Sequence, residues 1–294
     1  MPPCHATRGL AALAAVAALT LATAGCGTPR SVPLPPSPPL RSATLQQLVA
    51  SFNQNASAIE SLTLKLDLSA KAGKKHYKIG TYLLMQKPAN IRIWGSVTLL
   101  GKLFDMASNG SHFELSLPYY NQFIEGLNNV IPEHVSNPLE KLRPQVILNA
   151  LLINPIPASA EVALDPDAPE GSYEVLVLLH ADDGRLRLKR RIRISRLDLL
   201  PRGQVIYDGD GIHETRATYD KFTTRDNIPV PTVLTIERPA EGYSLKMKLS
   251  PAGIAVNQPF ATPNPFQLTP PSGSTIIKLS ENGEKRSKAA GSER

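Results

Sequence analysis

The sequence predicts a mainly β (α+β) fold: one antiparallel meander curled into a single sheet, with helices over one side. Three observations predict it. Apolar residues recur with period two through most of residues 60–250, as half-buried strands require. Turn signals such as Asn109-Gly110 and Asp182-Asp183-Gly184 separate those stretches and suit tight hairpins. Helical spacing enters at only two places, residues 42–59 and 137–153. Neither an internal repeat nor an interior linker breaks the pattern, so a single domain over 42–279 is expected.

The composition fits that fold. Of 294 residues, 42% are hydrophobic and 19% charged, a globular balance rather than a disordered one. Two cysteines exclude a disulfide framework or a Cys-rich metal site. Apolar runs longer than about ten residues occur only near the N-terminus, which excludes a polytopic membrane protein.

Taken in chain order, residues 1–25 read as a signal peptide. His5 and Arg8 form a short positive region, and Leu10–Ala22 is an apolar run too short to span a bilayer. Leu21-Ala22-Thr23-Ala24-Gly25-Cys26 resembles the lipobox of bacterial lipoproteins, with Thr23 where Leu is usual, and makes Cys26 the expected lipid-attachment site. Ordinary secretion with Cys26 as a bystander is the alternative. Gly27 in place of Asp favours the outer membrane under the familiar sorting rule. Residues 26–41 then form a tether, with Pro29, Pro33, Pro35, Pro36, Pro38 and Pro39 holding it stiff and extended.

The first helix is expected over Ser42–Ile59, where Leu45, Leu48, Val49, Phe52 and Ile59 keep near-helical spacing. Leu62, Leu64, Leu66 and Leu68 then alternate with Thr63, Lys65, Asp67 and Ser69, a half-buried strand. Gly73 turns the chain into His76–Gln86, and Lys87-Pro88 breaks it before Ile91–Trp94. Strands follow at Lys102–Ala107, His112–Leu117 and Gln122–Glu125. A second helix is expected over Asn137–Ile153, with Asn137 as N-cap and Pro138 at its first position. Pro144 implies a kink there, or two short pieces. Strands resume at Glu161–Leu164, Tyr173–His180, Arg185–Asp198, Gly203–Tyr207, Thr215–Phe222, Val233–Glu237 and Tyr243–Leu249. Residues 280–294 are charged and Gly/Ser-rich, an expected disordered tail.

Four segments resemble the LolA/LolB-like superfamily of periplasmic lipoprotein carriers and outer-membrane receptors. They are Lys87-Pro88-Ala89-Asn90-Ile91-Arg92-Ile93, Asn109–Leu115 followed by Tyr119-Tyr120-Asn121-Gln122, Tyr219–Phe222 through Ile228-Pro229, Pro231 and Ile236, and Ile254–Phe260. The resemblance spans most of Leu45–Leu279. It implies an unclosed antiparallel β-barrel capped by helices around an apolar cavity for acyl chains. With the lipobox it points to the anchored receptor type, in which an apolar residue on the loop after the third strand helps transfer lipid to the membrane. Leu99 and Leu100 fall at that place. Length, the Pro-rich tether and a long basic strand depart from the receptor pattern, so another lipid cargo is open.

Strand alternation makes Leu64, Leu66, Leu84, Ile91, Ile93 and Leu115 candidate cavity positions, or simply core, since periodicity does not separate the two. Arg185, Arg187, Lys189, Arg191 and Arg193 alternate with Leu186, Leu188, Ile192 and Ile194. That stripe reads either as a site for anionic headgroups or as a solvated face paired with carboxylates such as Glu174. Nucleic-acid binding is disfavoured by the absence of an aromatic platform. The histidines form no HExxH motif, and neither a GxSxG elbow nor a nucleotide-binding glycine motif is present. Asp208-Gly209-Asp210-Gly211 reads as a turn rather than a Ca²⁺ loop. The sequence therefore predicts a non-enzymatic monomer without metal or cofactor. Its expected partners are acyl chains of a lipid or lipoprotein, a membrane reached through the N-terminal anchor, and a periplasmic carrier protein. A non-transporting scaffold lipoprotein of an envelope complex is the alternative.

Overall fold

The computed structural model describes residues 38–97, 101–128, 142–207, 214–280 and 283–288. Met1–Pro39 and Leu40–Arg294 are separate units, and the second holds the whole fold described below.

Helix α1 (Leu45–Ser57) starts at a capping box, in which Gln47 N donates to Thr44 Oγ1 (3.2 Å) and Thr44 N to Gln47 Oε1 (2.9 Å). These bonds satisfy amides that have no partner inside the helix. The helix buries Leu48, Phe52 and Ala56. Six strands follow: β1 (Ser61–Ala72), β2 (Lys75–Gln86), β3 (Asn90–Val97), β4 (Gly101–Ser108), β5 (His112–Leu117) and β6 (Gln122–Leu127). Then come α2 (Pro144–Ala150), β7 (Glu161–Leu164), β8 (Ser172–His180), β9 (Leu186–Ser195), β10 (Pro201–Tyr207), β11 (Glu214–Arg225), β12 (Ile228–Arg238) and β13 (Tyr243–Val256). β14 (Thr275–Ser280) and β15 (Gly283–Lys288) end the chain's described part.

All fifteen strands belong to one sheet, in the order β15-β14-β6-β5-β4-β3-β2-β1-β13-β12-β11-β10-β9-β8-β7. β15 and β7 are its two free edges, so the sheet is unclosed. Neighbours pair antiparallel except β14, which lies parallel to β6. A parallel partner needs a crossover, supplied here by residues 257–274. They run over the outer face, where Arg92 Nη1 donates to Pro265 O (2.9 Å) and Leu268 N to Glu114 (2.7 Å).

The inner face is where the alternation predicted from β1 converges. Leu62, Leu64, Leu66 and Leu68 stand opposite Val256, Ile254, Leu249 and Met247 of β13. From there the apolar surface continues through Leu83, Met85, Ile91, Ile93, Met106, Phe113, Leu115 and Ile124 on one flank, and Leu234, Ile236 and Ala217 on the other. Helix α2 packs Ile147, Leu148 and Ala150 onto it. α1 instead packs Leu48, Phe52 and Ala56 against Val175, Val177, Ile192 and Ile194 of β8 and β9.

Several boundaries differ from the sequence reading. Pro144 does not kink a helix; it opens one, at the first position after Arg143, where its missing N–H costs nothing. The expected N-cap Asn137 and Pro138 lie outside the described residues. β12 runs through Pro229 and Pro231 because residues 228–232 pair only with β11, leaving the other side free of a donor requirement. Gly283–Lys288, within the stretch read as a disordered tail, pair with β14 as β15.

Candidate lipid-facing site

The six alternation-derived positions are not all on one side. Leu64, Leu66, Ile91, Ile93 and Leu115 share the inner face, at 1%, 3%, 0%, 1% and 4% exposure. Leu84 is buried as well, but pairs with Thr63 and Arg92 on the outer face. The correction follows from the pleat: Leu83, Leu84 and Met85 are consecutive, so only Leu83 and Met85 can point inward. Three consecutive apolar residues hid this from a period-two reading.

The inner face is closely filled. Among the described residues, two clefts of about 20 and 30 Å³ lie between sheet and cover, with room for about one water each. One runs between α1 and β9–β12, past Leu48, Phe52, Leu152, Ile194 and Phe222. The other lies under the chain that follows α2. Leu151, Leu152 and Ile153 form one wall of it, and Leu62, Leu64, Leu234, Met247 and Leu249 the other, with Tyr219 at the end.

A polar cluster ties the cover to the sheet at that end. Gln204 Nε2 of β10 donates to the carbonyls of Asn149 (3.1 Å) and Ala150 (3.3 Å) and to Tyr219 Oη (2.5 Å), and Tyr219 Oη donates to Ala150 O (2.6 Å). These carbonyls end α2 and have no partner within it. Arg190 of β9 donates through Nε to Gln204 Oε1 (2.6 Å) and through Nη1 to Asn154 O (2.8 Å), with its guanidinium 4.9 Å from the Phe52 ring centre. Burial pushes that guanidinium down to about 10 and raises the Tyr219 phenol well above its usual range, so at neutral pH Arg190 is charged and Tyr219 neutral. Arg190 Nη2 has no hydrogen-bond partner among the described residues. Sequence reasoning passed over this cluster. Its signal was an arginine two residues before Ile192, at apolar parity in an otherwise alternating strand.

The basic strand does not form the predicted stripe. The β8–β9 register shifts between Val177 and Leu178: Arg190 pairs with Val177, but Leu188 with Leu178. Lys189 is thereby left as the extra residue of a bulge. One extra residue exchanges the two faces beyond it, so Arg187 shares a side with Arg190 rather than with Arg191 and Arg193. Neutralisation follows as well. Arg193 pairs with the buried carboxylate of Glu174 (2.8 Å), Arg191 lies near Glu174 (3.6 Å) and Asp165 (3.5 Å), and Arg187 pairs with Asp183 (2.8 Å). Arg185 sits in the β8–β9 turn. Leu99, Leu100 and Cys26 lie outside the described residues, as does Asp208-Gly209-Asp210-Gly211.

Among the described residues no group of three or more His, Cys, Asp or Glu side chains could hold a metal ion. Nor is any described helix long and apolar enough to cross a membrane.

This geometry defines an open antiparallel sheet whose apolar face is closed by a thin helical cover. No protein-family model matches the chain, and no curated protein matches it. Solved structures similar in outline include the following three. A LolA superfamily protein from Nitrosomonas europaea has 13% identity over 72% of this chain and 94% of its own, with a TM-score of 0.46. An outer membrane lipoprotein-sorting protein domain from Vibrio parahaemolyticus has 8% identity over 74% and 94%, with a TM-score of 0.48. A DUF1329 family protein from Desulfovibrio piger has 11% identity over 73% and 92%, with a TM-score of 0.46. At these values nothing about binding or transport carries over from them.

Proposed function

We propose that this protein is an exported, membrane-anchored lipoprotein that takes acyl chains of a lipid or lipoprotein between its apolar sheet face and the α2 cover, and delivers them to the outer membrane without covalent chemistry. The observation that carries this reading is the cleft under Leu151–Ile153, walled almost wholly by Leu, Ile, Val and Met. A cover of seven helical residues is too short to persist as an isolated helix. It stays in place through its apolar side chains and the Gln204 and Tyr219 bonds.

The energies of cover and cargo are comparable. Lifting Ile147, Leu148, Leu151 and Ile153 off the sheet costs roughly 6–12 kcal/mol, at about 1.5–3 kcal/mol per side chain. An acyl chain of about 14 methylenes recovers some 11 kcal/mol at about 0.8 kcal/mol each. Measured from water, cover and cargo are of similar magnitude. In this reading Cys26 carries the anchor, residues 26–41 the tether, and Leu99 and Leu100 make first contact with the receiving bilayer.

The close filling of the interior favours a second reading, a non-transporting scaffold lipoprotein. Native mass spectrometry of Leu40–Arg294, purified gently from a bacterial envelope fraction, separates the two. Added mass matching phospholipid or acylated peptide, displaced by a fatty acid, supports the carrier. A bare mass and no fatty-acid uptake would leave the scaffold.

A further inference from the structure

Among the described residues, a cationic surface also lies away from β9. Strands β13, β1 and β2 carry Lys65, Lys71, Lys78, Lys246 and Lys248 on their outer face, all exposed, and among the described residues none of the five is in an ion pair. Their register sets them in adjacent rows: Lys248, Asp67, Gly80 and Ser96 across four strands, Lys246, Ser69 and Lys78 beside that row, and Lys65, Tyr82 and Trp94 on its other side. Asp67 is the one acid among these positions.

The middle row is low because Gly80 has no side chain. A Cβ built there would meet only Ser96 O, at 3.9 Å. The result is a hollow of about 500 Å³, lined by Lys65, Asp67, Tyr82, Ser96, Lys248 and Ser250, within the range of small-molecule sites. Its aromatic wall is built. Tyr82 and Trp94 stack at 5.3 Å and 13°, and Lys65 Nζ lies 5.9 Å from the Tyr82 ring centre. On this face Tyr82 is 37% exposed and Trp94 half-buried.

We propose that this face docks on an anionic phospholipid bilayer, with one headgroup seated in the hollow over Gly80. Lysines beside an anionic leaflet attract it, and amphipathic Tyr and Trp rings match the boundary between headgroups and acyl chains. A hydrated anionic polymer offers the charge but no apolar layer for those side chains. A second attachment of this kind would orient a tethered lipoprotein, since firm peripheral binding takes two signals. The inference rests on the envelope location proposed above, not on the acyl-chain cleft.

The test is sedimentation of unlipidated Leu40–Arg294, the compact unit, with vesicles of phosphatidylcholine alone or mixed with phosphatidylglycerol. Binding is expected to the mixed vesicles only and to weaken with added salt. Lys246→Glu with Lys248→Glu should weaken it more than about tenfold, and the matching Lys→Arg pair should retain it. Gly80→Leu, which has room, should lower binding severalfold by filling the hollow. Equal binding to both vesicle types, undiminished binding by the glutamate pair, or binding to heparin with none to vesicles would each overturn the proposal. Fatty-acid uptake read on the same variants should be unchanged, so a failure of docking and a failure of the carrier reading remain distinguishable.

Discussion

Arg190 carries a charge into the apolar face and is held there by Gln204 Oε1 and Asn154 O. Replacing it with methionine keeps much of the packing on Phe52 but strands both acceptors. Arg190→Met should therefore cost about 1–3 kcal/mol of stability, read as a lower urea midpoint; an unchanged midpoint would show that the latch contributes nothing. Asp105 is a second buried polar anchor. Its side chain, 5% exposed, accepts from Arg92 at 2.9 and 2.7 Å and from Lys102 at 2.6 Å. Its hydrogen bonding holds the Arg92 guanidinium above the usual arginine range. Asp105→Ala should cost roughly 3 kcal/mol because it leaves Arg92 without its partner, whereas Arg187→Ala, at an exposed pair, should cost under about 1 kcal/mol. Thermal denaturation of the two variants side by side checks the ranking. The two were hidden in different ways: Arg190 breaks the apolar parity of β9, whereas Asp105 keeps the outer, polar parity of β4 and is buried by what covers that face.

Elements were more legible than contacts. The Leu62–Leu68 alternation and the Asn109-Gly110 and Asp182-Asp183-Gly184 turns marked strands and hairpins that the structure contains. Such signals are local, and an antiparallel meander is a string of local decisions. What failed was non-local. β14 has only Ile276, Ile277 and Leu279 to announce it, and its partner β6 lies 153 residues back. The Lys189 bulge is invisible because deleting or adding one residue leaves a plausible alternation on either side of it. Close approach is equally hidden. Gly95 faces inward, and a Cβ there would meet Phe104 Cε1 at 2.5 Å and Ile79 Cγ2 at 2.6 Å. Gly95→Ala should therefore destabilise by about 1–3 kcal/mol through overpacking, with Gly80→Ala near neutral as the control. Chemical denaturation of the pair would contradict this if both behaved alike.

At the scale of the whole molecule, the fold class followed from periodicity, while the site depended on which strands become neighbours. The β1–β13 pairing brings together residues some 185 positions apart. It creates the apolar wall around Leu64, Met247 and Leu249 on one side and gathers lysines from three strands on the other. In sequence those lysines are ordinary polar positions, outshone by the arginine run of β9, of which Arg187, Arg191 and Arg193 pair with carboxylates. The central claim is that acyl chains lie between that wall and the α2 cover. A fatty acid carrying a photoreactive group at its chain end, cross-linked to Leu40–Arg294 and mapped by peptide mass spectrometry, tests it most directly. Labels are expected on residues 62–66, 151–153, Leu234 and residues 247–249, all lost on competition with unlabelled fatty acid. Labels confined to the outer face, or none above background, would contradict it.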